Sequence, residues 1–296
     1  MTAIILGSAA GGGFPQWNCR CRACALAWAG DRRVRTRTQT GIAVSANGSQ
    51  WTLINASPDL GTQIRAIPSL QPQQGLRSSP IKAVVLTGGE IDQIAGLLCL
   101  RESTPFTLYA TRATHAAVSA NAVFGAMTAM VRRTIDPGRV FRLAGGIDAI
   151  LFTVPGKPPL YLEGDDPETS ADTPANVGIE MRYRDARLVI VPAAAAITEA
   201  MWARLRAADA VLYDGTLFRD DEMIHAGTGH KTARRMGHMP LDGDEGSLRA
   251  LADLSGRRIL IHINNTNPIL IEDSPQRRMV EAAGWQVAED GMEIVL

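Results

Sequence analysis

Residues 81–102, IKAVVLTGGEIDQIAGLLCLRE, hold the reading that decides the fold. The run 81-IKAVVLT-87, apolar from Ala83 to Leu86, reads as a buried strand. Gly88-Gly89 supplies a tight turn, and 90-EIDQIAGLLCLRE-102 carries apolar residues at helical spacing. The stretch therefore predicts a strand, loop and helix, with Glu90 and Asp92 two apart where the loop meets the helix.

The same grammar extends in both directions. Upstream, 41-GIAVSANGSQWTLINASPDL-60 sets Asn47-Gly48 between two apolar runs and predicts a hairpin. Downstream, 106-FTLYAT-111 leads into an alanine-rich helix, and 147–197 returns to strands, with 182-RYRDARLVIV-191 a second hairpin. Alternation resumes with helix 198-TEAMWARLRAA-208, strand 210-AVLYDG-215, helix 246-GSLRALADL-254, strand 258-RILIHI-263 and helix 274-SPQRRMVEAAG-284. The terminal 285-WQVAEDGMEIVL-296 reads as another hairpin. Strands flanked by helices, twice over, predict two β-sheets packed face to face with helices outside, in a single domain over residues 1–296. The polar, proline-rich stretches 68–80 and 156–176 read as loops or lids.

A chain of 296 residues with 46% hydrophobic content can bury its own core without disulfides. Lys plus Arg and Asp plus Glu number 30 each, with no long run of either sign, which argues against nucleic acid as a partner. The opening MTAIILGSAAGGG lacks the basic residues and length of a secretory signal, and no window of 18 uninterrupted apolar residues occurs. The expectation is a cytoplasmic protein without a membrane span, its thiols reduced.

Three of the four cysteines fall in 17-WNCRCRAC-24. In a reducing compartment, Cys19, Cys21 and Cys24 at C-x-C-x-x-C spacing read as thiolates on one tetrahedral ion, most simply zinc, which then needs a fourth ligand. Cys99, in an apolar helix, reads as core. Of the five histidines, His115 reads as surface or packed, whereas His262 ends an apolar strand and opens the polar turn 264-NNTNP-268, where strand ends present side chains to sites. Asp214 also stands at a strand end, and His238 lies in 236-MGHMPL-241. Each has a plain alternative: Glu90 and Asp92 as helix N-terminal carboxylates, Asp214 as a turn former, His238 as a loop residue.

Taken in order, 86-LTGGEIDQIAGL-97, 213-YDGT-216, the Gly-His-Met of 237–239 and 261-IHINNTNP-268 resemble the metallo-β-lactamase superfamily. That superfamily holds two metal ions with an H-x-H-x-D-H motif and later histidines and aspartate. Here Gly88, Glu90 and Gln93 stand where its histidines would be, and Asp92 is kept. With 5-ILGSAAGGGFPQWNCRCRAC-24 and 54-INASPDL-60 added, the chain is similar to the branch of that superfamily serving synthesis of pyrroloquinoline quinone (PQQ).

The resemblance implies a four-layer αββα sandwich, with Cys19, Cys21, Cys24 and His262 as ligands of a closed structural zinc. It leaves Glu90, Asp92, Asp214 and His238 to converge on a second metal, with Asp92, Asp214 and His238 catalytic. Oxygen-rich ligands with one imidazole favour ferrous iron. The implied activity is an iron-dependent oxygenase that hydroxylates the tyrosine ring of a glutamate-tyrosine precursor in PQQ synthesis. The alternative is a carrier of PQQ or its precursor toward the periplasm. Lys231, Arg234 and Arg235 would bind the acidic molecule in either role. The same resemblance leaves room for contacts with other proteins of that pathway and for a homodimer.

Overall fold

The computed structural model describes residues 1–164, 168–169 and 171–296. Among the described residues, fourteen strands form two seven-stranded sheets. The first contains β1 (Thr2–Gly7), β2 (Gly41–Ser45), β3 (Trp51–Ile54), β4 (Ile81–Val85), β5 (Phe106–Ala110), β6 (Met130–Thr134) and β14 (Glu293–Val295), in the order β14-β1-β2-β3-β4-β5-β6. The second contains β7 (Val140–Arg142), β8 (Asp148–Gly156), β9 (Ala171–Tyr183), β10 (Ala186–Val191), β11 (Ala210–Asp214), β12 (Arg257–Ile261) and β13 (Trp285–Val287), in the order β13-β12-β11-β10-β9-β8-β7. The helices are α1 (Arg22–Trp28), α2 (Leu60–Ala66), α3 (Ile91–Ile94), α4 (Arg112–Ser119), α5 (Glu199–Arg206), α6 (Glu222–His225), α7 (Ser247–Ala250) and α8 (Pro275–Ala282).

The layers follow from which faces are apolar. Ile5, Ile42, Ile54 and Val85 meet Leu151, Ile179, Ile190, Leu212 and Ile261 between the sheets. On the outer face of the first sheet, Leu6, Leu53, Val84 and Leu108 pack with Leu60, Ile94, Leu97 and Val118. On the outer face of the second, Val189, Val191, Tyr213 and Leu260 pack with Cys24, Met201, Leu205 and Val280. Central strands are thus apolar on both sides, which gives them continuous hydrophobic runs in place of alternation. The result is the four-layer αββα sandwich expected.

Each sheet is parallel on one side, β3 to β6 and β10 to β13, and antiparallel elsewhere. Asp214 at the C-terminal end of β11, His262 just past that of β12 and Asp92 in the helix after β4 stand where open α/β sheets present ligand sites.

Four local expectations differ. Residues 285–296 are not a hairpin: β13 pairs in parallel with β12 while β14 pairs antiparallel with β1, so the chain crosses from one sheet to the other. Asp290 anchors the crossing by accepting from Ser8 N and Oγ and from Thr38 N and Oγ1, and Gly291, at φ 85°, donates to Ile5 O. The 90–102 helix is one α-turn followed by a 3-10 stretch over Ala95–Leu100, within which Gly96 lies against the carbonyls of Ala56 and Ser57 with no space for a side chain. The turning of that tighter helix leaves Cys99 exposed and not in the core. The 246–254 helix closes after Ala250.

Candidate metal pocket and thiol cluster

The sulfurs of Cys19, Cys21 and Cys24 lie within 4.8 Å of one another, Cys19 and Cys24 buried. Cys21 is the residue before α1, so the first turn of that helix folds the third thiol back onto the first two. Burial pushes the Cys21 thiol up to about 12, with its two neighbours adding to the rise, and burial raises Cys24 as well. Thiols crowded in this way ionise when a cation shares their charge, and the soft donor set fits zinc.

The residue that closes the cluster is Asn265. Its Nδ2 lies 3.1 Å from Cys19 Sγ, 3.4 Å from Cys24 Sγ and 3.7 Å from Cys21 Sγ, and its carbonyl accepts from Cys21 Sγ at 3.4 Å. The expectation that His262 joins the thiols is therefore corrected. His262 leaves β12 in a left-handed conformation, φ 56°, and its imidazole enters the other group of donors.

That group is Asp214, His238 and His262, whose ligand atoms also lie within 4.8 Å of one another. Asp214 is fully buried at the end of β11. Its Oδ1 accepts from Thr216 N at 3.0 Å and Oγ1 at 2.6 Å, while its Oδ2 accepts from Ala194 N at 3.0 Å and lies 2.7 Å from His238 Nδ1. Gly237, at φ 80°, ends a short 3-10 turn and swings His238 into place. The two imidazoles stack at 5.4 Å. Thr216 Oγ1 stands between them, 3.1 Å from His238 Nδ1 and 2.8 Å from His262 Nδ1. Asp92, in the first turn of α3, places Oδ2 2.9 Å from His262 Nε2.

The electrostatics are those of a tightly paired set. Burial opposes the charge on Asp92, but hydrogen bonding and attraction from His262 override it and hold the carboxyl below its usual range. Burial opposes Asp214 in the same way and is overridden by His238 and His262. Burial likewise opposes the imidazolium of His262, yet Asp92 and then Asp214 raise that histidine above its ordinary value. Two imidazoles and one carboxylate make the donor set associated with non-haem ferrous ions that retain open positions. The sequence counted one imidazole here; the structure brings two, with Asp92 at the edge.

Glu90 does not join these donors. It is the N-cap of α3, and its carboxylate accepts from Lys157 Nζ at 2.7 Å and Leu160 N at 3.1 Å. Among the expected cations, Lys231 lines the cavity, Arg235 stands behind it on Glu163, and Arg234 pairs with Glu245 at 2.9 Å. Lys157 and Thr216 were not singled out from the sequence. Lys157 stands in a proline-rich loop, and Thr216 gave its position only within 213-YDGT-216. The cavity, about 440 Å³, is bordered by Gly11, Asp92, Lys157, Lys231, His238 and His262 among others, a size suited to a small organic ligand. Of the expected lid 156–176, Lys157, Pro159, Leu160, Ala175 and Asn176 border the cavity, while residues 165–167 and 170 lie outside the described residues. His115 is packed, its Nε2 3.1 Å from Arg133 O. No helix among the described residues is long and apolar enough to cross a membrane.

Residues 50–263 match the family model described as Beta-lactamase superfamily domain. The chain is 54% identical over 299 residues to coenzyme PQQ synthesis protein B of Methylorubrum extorquens (strain PA1), with 100% of both chains covered. It is 51% identical over 296 residues to the protein of the same name from Rhizobium meliloti (strain 1021), covering 99% of this chain and 97% of that one. Among solved structures, zinc-bound PqqB from Methylobacterium extorquens superposes with a TM-score of 0.98 at 54% identity over 100% of both chains. A diphosphatase of the PhnP family, TM-score 0.67 at 21% identity over 99% of this chain and 96% of that one, shares the fold.

Proposed function

The chain belongs to the coenzyme PQQ synthesis protein B family of the β-lactamase superfamily, and on that basis we propose that it serves PQQ biosynthesis as an iron-dependent oxygenase. Its substrate is a precursor of linked glutamate and tyrosine, hydroxylated on the tyrosine ring with dioxygen as oxidant, one oxygen atom entering the ring and the other leaving as water at the expense of a two-electron reductant. The observation that carries this reading is the cluster of Asp214, His238 and His262, whose two imidazoles border the cavity with the buried Asp214 carboxylate behind them. Those three residues would hold ferrous iron, which supplies activation of dioxygen. A dinuclear hydrolytic centre is disfavoured by Gly88 and Gln93, which bring no ligand.

The chain's own residues have separable tasks. Thr216 and Ala194 N fix both oxygens of Asp214, so the carboxylate is oriented before an ion arrives. Asp92 holds His262 and keeps a proton acceptor at the cavity wall. Lys157 and Lys231 offer ammonium groups to an acidic substrate. Zinc on Cys19, Cys21 and Cys24, with Asn265 beside them, would tie the first loop to the loop after β12. The zinc-bound relative and the thiol chemistry both support that assignment.

The lysine-lined cavity also favours the second reading, a carrier of PQQ or its precursor. Metal analysis of protein purified without oxygen separates the two. Zinc together with iron, and hydroxylated product from the precursor in air, is expected of the oxygenase. Zinc alone with no turnover after iron reconstitution leaves the carrier.

A further inference from the structure

The charges near the cavity are arranged around a carboxylate that does not border it. Glu163 has a side chain only 4% exposed, and three cations grip it. Lys157 Nζ lies 3.2 Å from Oε2, Lys231 Nζ 3.2 Å from Oε1, and Arg235 Nη1 2.6 Å from Oε1. Two of those cations, Lys157 and Lys231, line the cavity. Lys157 is itself held by Glu90 Oε1 at 2.7 Å and Pro158 O at 3.2 Å. Among the described residues of this cluster, three cations, Lys157, Lys231 and Arg235, meet two carboxylates, Glu90 and Glu163, and two of the cations face a space large enough for an organic molecule.

We infer that Lys157 and Lys231 form a carboxylate receptor in the cavity wall and that Glu163 is its internal ligand, giving up the two lysines when the carboxylate of a bound acid reaches them. Lysine suits such an exchange, because its ammonium is a point charge on a flexible stem and can change partners by rotation. Arg235 stays on Glu163 during the exchange, so that no buried anion is left unpaired. The segment that carries Lys157 and Glu163 is built as a strap: Lys157 to Glu163 is pinned to the loop after β4 by Glu90 accepting from Leu160 N and by Tyr161 OH donating to Gly89 O at 2.7 Å. Those pins hold the strap over the site while Glu163 yields. The inference rests on the acidic ligand of the proposed function and holds for oxygenase or carrier alike.

The test is calorimetric binding of PQQ, a tricarboxylate, and of its uncharged trimethyl ester to the metal-loaded protein. Lys231→Met, on a partly exposed side chain, and Lys157→Met are each expected to weaken PQQ roughly tenfold and to leave the ester unchanged. Glu163→Gln should tighten PQQ about threefold or more. Glu163→Asp, which keeps the charge but withdraws it from the lysines by one methylene, should also tighten it, whereas a general field effect predicts wild-type affinity for that variant. Wild-type affinity in Lys231→Met, unchanged or weaker binding in Glu163→Gln, or no PQQ binding by any form overturns the receptor. Expected binding without turnover of the precursor would sink the oxygenase alone. Turnover with unaltered affinities in the lysine variants would sink the receptor alone.

Discussion

His262 shows how much one backbone dihedral decides. At the end of an apolar strand its side chain could have turned toward the thiols or toward the pocket, and nothing in 258-RILIHI-263 selects between them. The left-handed φ of 56° selects the pocket, a conformation that costs a non-glycine residue about 1 kcal/mol and persists where its surroundings fix it. Here Thr216 Oγ1 and Asp92 Oδ2 hold the ring from either side, and an ion would take the place of one of those contacts. His262→Ala is therefore expected to remove pocket iron while thiol-bound zinc stays, read by metal analysis of anaerobically prepared protein. Loss of zinc with iron retained would return His262 to the thiols. Asp214→Ala and His238→Ala should each abolish iron binding and turnover, because a centre with so few protein ligands cannot spare one. Asn265 was not legible as the cluster's neighbour, since an amide three residues past a histidine carries no metal-ligand signature; only the folded loop brings it to the sulfurs.

At the scale of elements, the buried strands were legible and the edges were not. β4, β10, β11 and β12 are buried on both faces and announce themselves as apolar runs. β6, sequence MVRRT, and β7, sequence VFR, are exposed edge strands whose polar residues hide them. The 285–296 segment misled because two short strands near a glycine look alike whether they pair with each other or with separate sheets. α6 offers a test of its own. Its first residue, Glu222, is buried, Oε2 accepting from Phe218 N at 2.7 Å and Oε1 from Thr266 Oγ1 at 2.6 Å. Burial outweighs both bonds and lifts the carboxyl from 4.5 to about 7. A folded value above the unfolded one means stability present below about 4.5 and lost as pH rises through about 7. Gln at this position can accept from Phe218 N and donate to Thr266 without carrying charge. Glu222→Gln should thus gain on wild type by up to about 3 kcal/mol between pH 5 and pH 8 in urea unfolding. Parallel pH profiles would show that the carboxylate is charged and accommodated throughout.

For the whole molecule, the central fact is that one loop serves both sites. From β12 the chain sends His262 into the pocket and, three residues on, Asn265 to the thiols, while the segment between β1 and the thiol loop meets it through Ala10 N donating to Ile263 O and Ile263 N donating to Ser8 O. Metal on the thiols would therefore stiffen the backbone that aims His262, although the two donor groups share no residue. Cys21→Ser is expected to lose zinc and to melt several degrees lower, the large core keeping it folded. It should also weaken ferrous iron in the pocket by roughly tenfold, the size of effect found when a metal ligand loses its outer support. Anaerobic iron titration followed by mass analysis of the bound metals measures both. Asn265→Ala, which leaves all three thiols in place, separates the causes: iron affinity should fall if the loop transmits the effect and remain at the wild-type value if the ion on the thiols acts only on folding. Unaltered iron affinity in both variants would mean that the two sites, though joined by three residues of chain, are mechanically independent.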